Sequence, residues 1–295
     1  MTATVFNDAN GVSIERPALY LVATPIGNLA DISVRALQTL SDADVILAED
    51  TRLSRRLLDH YGITTRMLPL HDHNEMRVAE ALIVEALNEN LAVAQISDAG
   101  TPLISDPGYK LVNAALAQGL AVYPVPGACA AITALSVSGL ATDQFVFVGF
   151  LSAKSTAKRQ QLEMLKREHR TMIFYETPHR ILSTLHSIGE IFGAERQVVV
   201  ARELTKMFET VYRGQVSAII EAGQNDPNFS KGEIVLMVAG AKIDTGADDQ
   251  ELHRVMEILL GELPASQAVK LASKITGAKK NRLYQLVNDR ERRTD

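Results

Sequence analysis

Residues 97–108 have the sequence Ser-Asp-Ala-Gly-Thr-Pro-Leu-Ile-Ser-Asp-Pro-Gly, and they directly follow an apolar run, residues 91–96, that predicts a buried β-strand. The glycines of this loop allow a ligand to approach the backbone closely, and its Asp, Thr and Ser side chains supply hydrogen-bonding groups. In an open α/β sheet, ligands bind at the carboxyl ends of the strands. The loop therefore predicts a ligand site at a sheet edge or, as the simpler alternative, a Gly/Pro turn with capping side chains.

Two further loops of the same kind favour the ligand site. Residues 23–29 (Ala-Thr-Pro-Ile-Gly-Asn-Leu) follow the strand-like residues 19–22, and residues 125–131 (Val-Pro-Gly-Ala-Cys-Ala-Ala) follow residues 120–123. No G-x-G-x-x-G motif opens the first unit and the chain has no G-x-x-x-x-G-K-[ST] motif, so neither a dinucleotide site nor a P-loop is indicated. The pattern predicts an α/β protein whose strand-end loops bind another small molecule.

Longer motifs point to a family. Residues 43–52, 174–180 and 201–206, together with the three loops, resemble the tetrapyrrole methylase superfamily of S-adenosylmethionine-dependent methyltransferases. The resemblance extends from about Pro17 to the C-terminus. It implies two α/β domains of the tetrapyrrole methylase type, with S-adenosylmethionine in the cleft between them. The narrower resemblance, to members that act on ribosomal RNA, implies methylation of a cytidine ribose 2′-oxygen in 16S ribosomal RNA of the small subunit.

The chain divides into four predicted segments. Its 295 residues exceed one typical core and suit two domains with an appendage. Residues 1–16 predict a flexible N-terminal tail, 17–124 an N-terminal α/β domain, 125–244 a second α/β domain and 250–295 a small C-terminal helical domain. In the last segment, apolar residues at helical spacing predict three short helices with a turn at Gly277, which resembles a helix-turn-helix unit.

Composition excludes several classes of protein. A hydrophobic content of 46% and a charged content of 22% are typical of a globular chain. Residues 1–16 lack the apolar core of a signal peptide and no run is long enough to span a membrane, so we expect a cytoplasmic protein without a membrane partner. The single cysteine, Cys129, excludes an intrachain disulfide. Seven histidines without a C-x-x-C or H-E-x-x-H pattern predict no metal site.

The net charge of −5 argues at first against a nucleic-acid partner, but the charge is unevenly distributed. Residues 264–295 carry eight basic and three acidic residues, a net +5 that leaves −10 for the rest of the chain. Because binding to a nucleic-acid backbone is mainly electrostatic, this segment predicts contact with RNA phosphates. A solvated basic face on a packing or dimerising appendage is the alternative.

A second basic segment, residues 154–170, predicts either a further RNA contact or an exposed helix face. Residues 171–175 predict a strand, followed by Thr177 as an N-cap and Pro178 as the first helical residue. The donors of that helix N-terminus suit a phosphate or a substrate oxygen, and a capping turn with an exposed His and Arg is the alternative. The predicted RNA contacts are Arg52, Lys154, Lys158, Arg159, Arg180, Arg202, Lys274, Lys279, Lys280 and Arg282.

Four residues are candidates for a catalytic base, since a ribose hydroxyl is a poor nucleophile while it is protonated. They are Lys206, Glu203, Asp50 and His179. Lys206 is the first choice by analogy with 2′-O-methyltransferases of unrelated folds that use a lysine. It can serve only if burial or a cationic neighbour such as Arg202 lowers its pKa.

The resemblance and the strand-end loops together predict the cofactor contacts. These are Ile26, Gly27, Asp98, Ala99, Gly100, Thr101, Ile104, Cys129, Ala130, Tyr175, Glu176 and Leu204. Thr101 stands where the tetrapyrrole enzymes usually have Asp, a departure that fits a subfamily with a different substrate.

The resemblance also implies a homodimer, for which the apolar residues 132–140 offer an interface. Two other functions remain open at this point. A tetrapyrrole methyltransferase would share the cofactor loops but has no use for a basic helical tail. A non-catalytic RNA-binding protein would use the basic segments but leave the three strand-end loops unexplained, and binding of S-adenosylmethionine would separate it from an enzyme.

Overall fold

The computed structural model describes residues 14–71, 75–242 and 249–294. They belong to two compact units, one ending at Gly240 and the other beginning at Ala241. Most of the predicted N-terminal tail, and the predicted domain boundary after residue 244, lie outside the described residues.

The first sheet lies in the N-terminal half of the larger unit. It consists of β1 (Ala18–Val22), β2 (Val45–Ala48), β3 (Met67–Pro69), β4 (Ala92–Gln95) and β5 (Ala121–Val125). All five strands run parallel, in the order β3-β2-β4-β1-β5. The strands are apolar on both faces because both faces are covered: Tyr20 packs into one core cluster and its neighbour Leu19 into another. The connections carry α1 (Val34–Asp42), α2 (Thr51–His60), α3 (Glu75–Glu89) and α4 (Tyr109–Ala117).

The second sheet follows α5 (Ala130–Ser138) and is mixed. Its strands are β6 (Phe145–Phe150), β7 (Thr171–Glu176), β8 (Gln197–Arg202), β9 (Thr210–Gln215) and β10 (Ile234–Val238). In the order β6-β7-β10-β8-β9, only β6 and β7 pair in parallel, while β10 runs antiparallel to β7 and β8. Its helices are α6 (Ser155–Leu165), α7 (Ile181–Phe192) and α8 (Val216–Asn225). The α/β class predicted from the sequence is confirmed, and so are the four predicted strands, within two residues at each end.

The smaller unit contains α9 (Asp249–Glu262), α10 (Ala265–Thr276) and α11 (Lys280–Thr294). These helices bury their own apolar cluster, which includes Leu252, Ala268 and Leu283. Gly277 ends α10 with a φ of 71°, a conformation that favours glycine. The predicted three helices and glycine turn are therefore confirmed. No helix within the described ranges is long and apolar enough to cross a membrane.

Candidate active site

A cavity of about 410 Å³ lies where the strand-end loops of the two sheets come together. Loops after the parallel strands β1, β2, β4 and β5 line it, as do the ends of β6, β7 and β8. The start of β10 also lines it, because β10 runs antiparallel to its neighbours. The lining residues are Ile26, Glu49, Asp98, Ala99, Gly100, Thr101, Ile104, Ser105, Asp106, Cys129, Ala130, Phe150, Tyr175, Glu176, Thr177, Pro178, Ala201, Leu204, Gly232, Glu233, Ile234 and Val235. We call this space the strand-end cavity.

The loop after β4 is tied to both other predicted ligand loops. Gly100, with a φ of 87°, exchanges two backbone hydrogen bonds with Thr24, of 2.9 and 3.1 Å. The Thr101 hydroxyl donates to the carbonyl oxygen of Ala128 at 3.0 Å. A Cβ atom on Gly100 would lie 3.2 Å from Cγ2 of Ile26, so the loops pack without room for a side chain. All predicted cofactor contacts except Gly27 line the cavity.

Strained backbone concentrates at the cavity. Five non-glycine residues of the described chain have φ in the left-handed region, and four of them lie in loops beside the cavity: Leu103, Ser105, Glu203 and Thr205. Such conformations cost about 1–3 kcal/mol each and persist where the surroundings hold them in place. The surroundings of these two loops therefore hold a specific geometry that the local sequence does not favour.

Asp106 lines the cavity, and sequence analysis did not name it as a site residue. Burial raises the pKa of its carboxyl from 3.8 to about 6; the Ser97 hydroxyl lowers it and the nearby charge of Asp98 raises it. Asp98 itself accepts a hydrogen bond from the backbone N–H of Asp50 at 2.9 Å. The position of Asp106 in the loop after β4 was the only signal in the sequence, because its burial depends on the other loops.

Aromatic rings form one wall of the cavity. Tyr175, on β7, makes edge-to-face contacts with Phe147 and Phe150, with ring centroids 5.0 and 5.6 Å apart. Burial raises the pKa of Tyr175 to about 12, so its hydroxyl stays protonated. Phe150 is 52% exposed although it lines the cavity, so part of this apolar wall faces the opening.

Glu176 is fully engaged by its neighbours at the end of β7. It is 4% exposed and accepts hydrogen bonds from the Thr177 N–H at 2.8 Å and from the Thr184 hydroxyl at 2.7 Å. Nε of Arg180 lies 3.3 Å from Oε1 of the same carboxylate. Nζ of Lys158 lies 3.3 Å from the Thr184 hydroxyl, and burial lowers the pKa of this lysine. The group forms a buried ionic cluster behind the cavity wall.

Two predicted RNA contacts belong to this buried cluster, and the predicted helix start beside it is also wrong. Lys158 is only 6% exposed, and Arg180 donates to the carbonyl oxygens of Leu151 and Ser152, so both serve the interior of the fold. The helix after β7 begins at Ile181, with Arg180 as its N-cap residue, rather than at Pro178. A single turn precedes the helix, in which the N–H groups of Arg180 and Ile181 both donate to the carbonyl oxygen of Thr177.

Arg202 is the third predicted RNA contact that proves to be buried. It is 5% exposed, and its guanidinium donates to the carbonyl oxygen of Phe208 at 3.1 Å. The other predicted contacts reach the surface to different degrees. Arg159 pairs with Glu190, and Arg52 is 90% exposed while it pairs with Asp50. Lys154, Lys274, Lys279 and Lys280 are exposed, and Arg282 is half-buried.

The four predicted bases all lie outside the cavity lining. Nζ of Lys206 lies 2.9 Å from Oε1 of Glu203 and 3.2 Å from Oε2 of Glu233. Burial alone would lower the pKa of Lys206, but the two carboxylates outweigh it and raise the pKa, so the condition for Lys206 to act as a base is not met. Burial would raise the pKa of Glu203, yet the Glu233 N–H and Lys206 bring it below its usual value.

The other two candidates are no better placed for proton abstraction. Asp50 caps α2 by accepting from the N–H groups of Arg52 and Leu53, and the Arg52 side chain lowers its pKa. His179 is exposed and lies 3.4 Å from the Thr177 hydroxyl.

Two glycines leave room for the ion pair between Lys206 and Glu203 beside the cavity. A Cβ atom on Gly232 would lie 2.3 Å from Cδ of Glu203, and one on Gly27 would lie 2.5 Å from Cγ of Lys206. The predicted cofactor contact Gly27 therefore packs against Lys206 instead. Among the described residues, no group of three or more His, Cys, Asp and Glu side chains is arranged to hold a metal ion.

Comparison with known proteins gives matches along nearly the whole chain. Residues 18–220 match the family model for tetrapyrrole (corrin/porphyrin) methylases, and residues 246–290 match the model for the RsmI C-terminal HTH domain. The chain is 49% identical over 269 residues to ribosomal RNA small subunit methyltransferase I of Haemophilus influenzae, covering 90% of this chain and 95% of that protein. It is 50% identical over 268 residues to the protein of the same name from Pasteurella multocida, again covering 90% and 95%.

A solved structure has a similar fold. It is uroporphyrin-III C-methyltransferase from Thermus thermophilus complexed with S-adenyl homocysteine. The TM-score is 0.53 at 15% identity, and the match covers 75% of this chain and 97% of that one.

Proposed function

Because the chain belongs to the tetrapyrrole methylase family, and within it to the ribosomal RNA small subunit methyltransferase I proteins, we propose that it transfers a methyl group from S-adenosylmethionine to a cytidine ribose 2′-oxygen in 16S ribosomal RNA. The observation that carries the proposal is the identity of about half of all residues over 90% of the chain. A cytoplasmic location follows from the proposed ribosomal substrate.

The strand-end cavity suits S-adenosylmethionine. Its volume of about 410 Å³ is in the range of small-molecule sites. The donor carries positive charge at its sulfonium and its α-ammonium group, and the lining supplies carboxyl groups, among them Glu49 and Asp98. The backbone at Gly100 leaves space that a Cβ atom would fill, and Tyr175 and Phe150 add an apolar wall. The residues present therefore fit this group.

The main task of the chain is to hold two reactants in line. S-adenosylmethionine supplies a methyl carbon that is activated by its sulfonium, and displacement requires the ribose oxygen to lie opposite the sulfur. Correct orientation of two reactants can supply about 7–11 kcal/mol of such a rate enhancement. Thr101 fixes the loop after β4 to the loop before α5, so the two loops form one wall. The apolar rings of Tyr175 and Phe150 line the other wall.

Capture of RNA is assigned to exposed basic side chains of the smaller unit. Lys274, Lys279 and Lys280 are exposed, and the sequence around them has a net positive charge. Replacing all three with Gln should weaken RNA binding and reduce the slope of log affinity against log salt by about 2. Affinity for S-adenosylhomocysteine should not change. If the salt slope keeps its wild-type value, the RNA contact lies instead on other exposed cations, such as Lys154, Arg159 and Arg52.

A homodimer is a further part of the proposal. Helix α5 exposes Ile132 and Val137, at 49% and 43%, on the segment that sequence analysis selected as an interface. Pairing of two copies through this face would cover both side chains. Sedimentation equilibrium at micromolar concentration should give twice the monomer mass, and a purely monomeric species would contradict this part.

The alternative functions explain less. A tetrapyrrole methyltransferase shares the fold but not the C-terminal unit, which matches the RsmI C-terminal HTH domain. A non-catalytic RNA-binding protein would not need a cavity lined by the strand-end loops of both sheets.

The direct test is transfer of an isotope-labelled methyl group to small ribosomal subunits, followed by nucleoside analysis of the 16S RNA. We expect label in 2′-O-methylcytidine. Label in a nucleobase, or no label in RNA, would contradict the proposal.

A further inference from the structure

Five carboxyl side chains line the strand-end cavity, and they differ in what neutralises them. Glu176 is bound by Arg180, Thr177 and Thr184, and Glu233 lies 3.2 Å from Nζ of Lys206. Asp98 accepts the N–H of Asp50, and Glu49 also has an interaction partner. A carboxylate held by a cation is a weak base, because the cation stabilises its ionised form.

Asp106 differs from the ion-paired Glu176 and Glu233. Burial, the Ser97 hydroxyl and the charge of Asp98 determine the proton affinity of its carboxyl, and no cation is among these influences. The groups that face it are Ser97 and Asp98 at the end of β4 and Tyr175 on β7, beside Cys129. The Ser97 hydroxyl has one proton, which it can donate either to Asp106 or to the Gly100 carbonyl oxygen at 3.2 Å.

We propose that Asp106 is the general base that accepts the proton of the ribose 2′-hydroxyl during methyl transfer. The O–H bond of the ribose breaks and its proton passes to a carboxylate oxygen of Asp106. A lone pair of the same ribose oxygen forms the new bond to the methyl carbon. The carbon–sulfur bond breaks with its electron pair on sulfur, which leaves a neutral thioether. This inference rests on the proposed function.

A carboxyl with a pKa of about 6 is suited to this task. Above that pH it is ionised and accepts a proton more readily than an ordinary, fully solvated carboxylate. The four bases considered from the sequence lie outside the cavity lining, and Lys206 is held protonated by two carboxylates.

The central experiment compares Asp106→Asn with the wild type and with Asp143→Asn, a control at an exposed aspartate before β6. Single-turnover methyl transfer to small ribosomal subunits is measured between pH 5 and 9. The wild type and the control should lose rate as the pH falls through about 6. Asp106→Asn should be slower by about 10²-fold or more and should lack this dependence. A folded Asp106→Asn protein with the wild-type rate and pH profile would overturn the proposal.

A binding measurement separates this role from a simple counter-ion. Affinities for S-adenosylmethionine and S-adenosylhomocysteine are measured by calorimetry, since only the first carries the sulfonium charge. A general base predicts nearly unchanged affinities in Asp106→Asn. Selective weakening of S-adenosylmethionine binding, with the single-turnover rate at saturation retained, would overturn the proposal in favour of a counter-ion.

Ser97→Ala keeps the proposal testable if Asp106→Asn does not fold. Loss of the Ser97 hydroxyl should raise the pKa of Asp106, because that hydroxyl lowers it. Carbon-13 NMR of the aspartate carboxyl groups should show the higher pKa, and the acid limb of the rate should move to the same higher pH. A limb that stays in place while the carboxyl signal moves would overturn the proposal. A wild-type protein that methylates no small subunit would overturn both this inference and the proposed function, whereas the outcomes above affect Asp106 alone.

Discussion

The carboxyl groups on the two sides of the strand-end cavity differ in whether a cation is bound to them. On the side of the second sheet, Glu176 and Glu203 are bound by Arg180 and Lys206, and Glu203 also accepts the Glu233 N–H at 2.9 Å. On the side of the first sheet, Asp106 is half-buried without a cation, and its pKa is raised to about 6. The ion-paired carboxylates hold the wall of the site in place. The carboxyl group without an ion pair stays able to gain or lose a proton.

The difference indicates where the fold gains and loses stability. A buried ion pair is destabilising when one partner is removed, because the remaining charge stays buried without compensation. A buried carboxyl without a cation disfavours the folded state whenever it is ionised. The comparison therefore predicts opposite effects of removing a negative charge on the two sides.

The largest effect should come from Glu176→Ala. This change leaves Arg180, 19% exposed, and the buried Lys158 without their carboxylate. We expect a loss of about 3–5 kcal/mol in the free energy of unfolding, measured with urea. The matched control is Glu190→Ala, which breaks the half-exposed pair with Arg159 and should cost less than about 1 kcal/mol. Equal losses in the two variants would remove the distinction between a buried cluster and a surface pair.

Asp106→Asn should have the opposite sign. The folded pKa of about 6 exceeds the ordinary value of 3.8, so the fold favours the protonated carboxyl and loses this stabilisation as the pH rises through 6. At pH 8 we expect the free energy of unfolding of the variant to exceed that of the wild type by about 1–3 kcal/mol. Because Asp106 is only half-buried, solvent screening favours the lower part of this range. At pH 4 the gain should nearly vanish. A variant that is less stable than the wild type at pH 8 would contradict this assignment.

A smaller effect tests the packing beside the second sheet. Gly232→Ala places a Cβ atom 2.3 Å from Cδ of Glu203 and should displace the carboxylate from Lys206. Gly119→Ala is the control, because Gly119 has nearly the same φ, 75° against 77°, and no neighbouring atom within 4 Å. The backbone strain is thus shared, and we expect Gly232→Ala to lose about 1–2 kcal/mol more than the control. The same loss in both would mean that Glu203 moves without cost.

Much of the fold could be predicted from local pattern. The buried strands are short apolar runs, and the loops that follow them contain Gly and Pro, so strand ends and ligand loops are visible in the sequence itself. The helices of the smaller unit were predictable for the same reason, since their apolar residues repeat at helical spacing and Gly277 separates them.

The errors in the predicted RNA contacts share one cause, which is the burial of charged side chains. Lys158 and Arg202 are in basic or charge-rich segments, where exposure is the ordinary expectation. Both are buried: the Thr184 hydroxyl, distant in sequence, contacts the Lys158 ammonium, and the Arg202 guanidinium donates to the carbonyl oxygen of Phe208. Asp106 was missed for the converse reason: only the assembled loops bury its carboxyl and raise its pKa.

The proposed function requires the cofactor to lie against the loop after β4, and equilibrium binding of S-adenosylhomocysteine to Gly100→Val tests this placement directly. Gly119→Val is the control, since both glycines have a positive φ but only Gly100 lines the cavity. We expect Gly100→Val to bind at least about 100-fold more weakly than the wild type, a loss of about 2.7 kcal/mol, while the control binds normally. A folded Gly100→Val protein with wild-type affinity would contradict it.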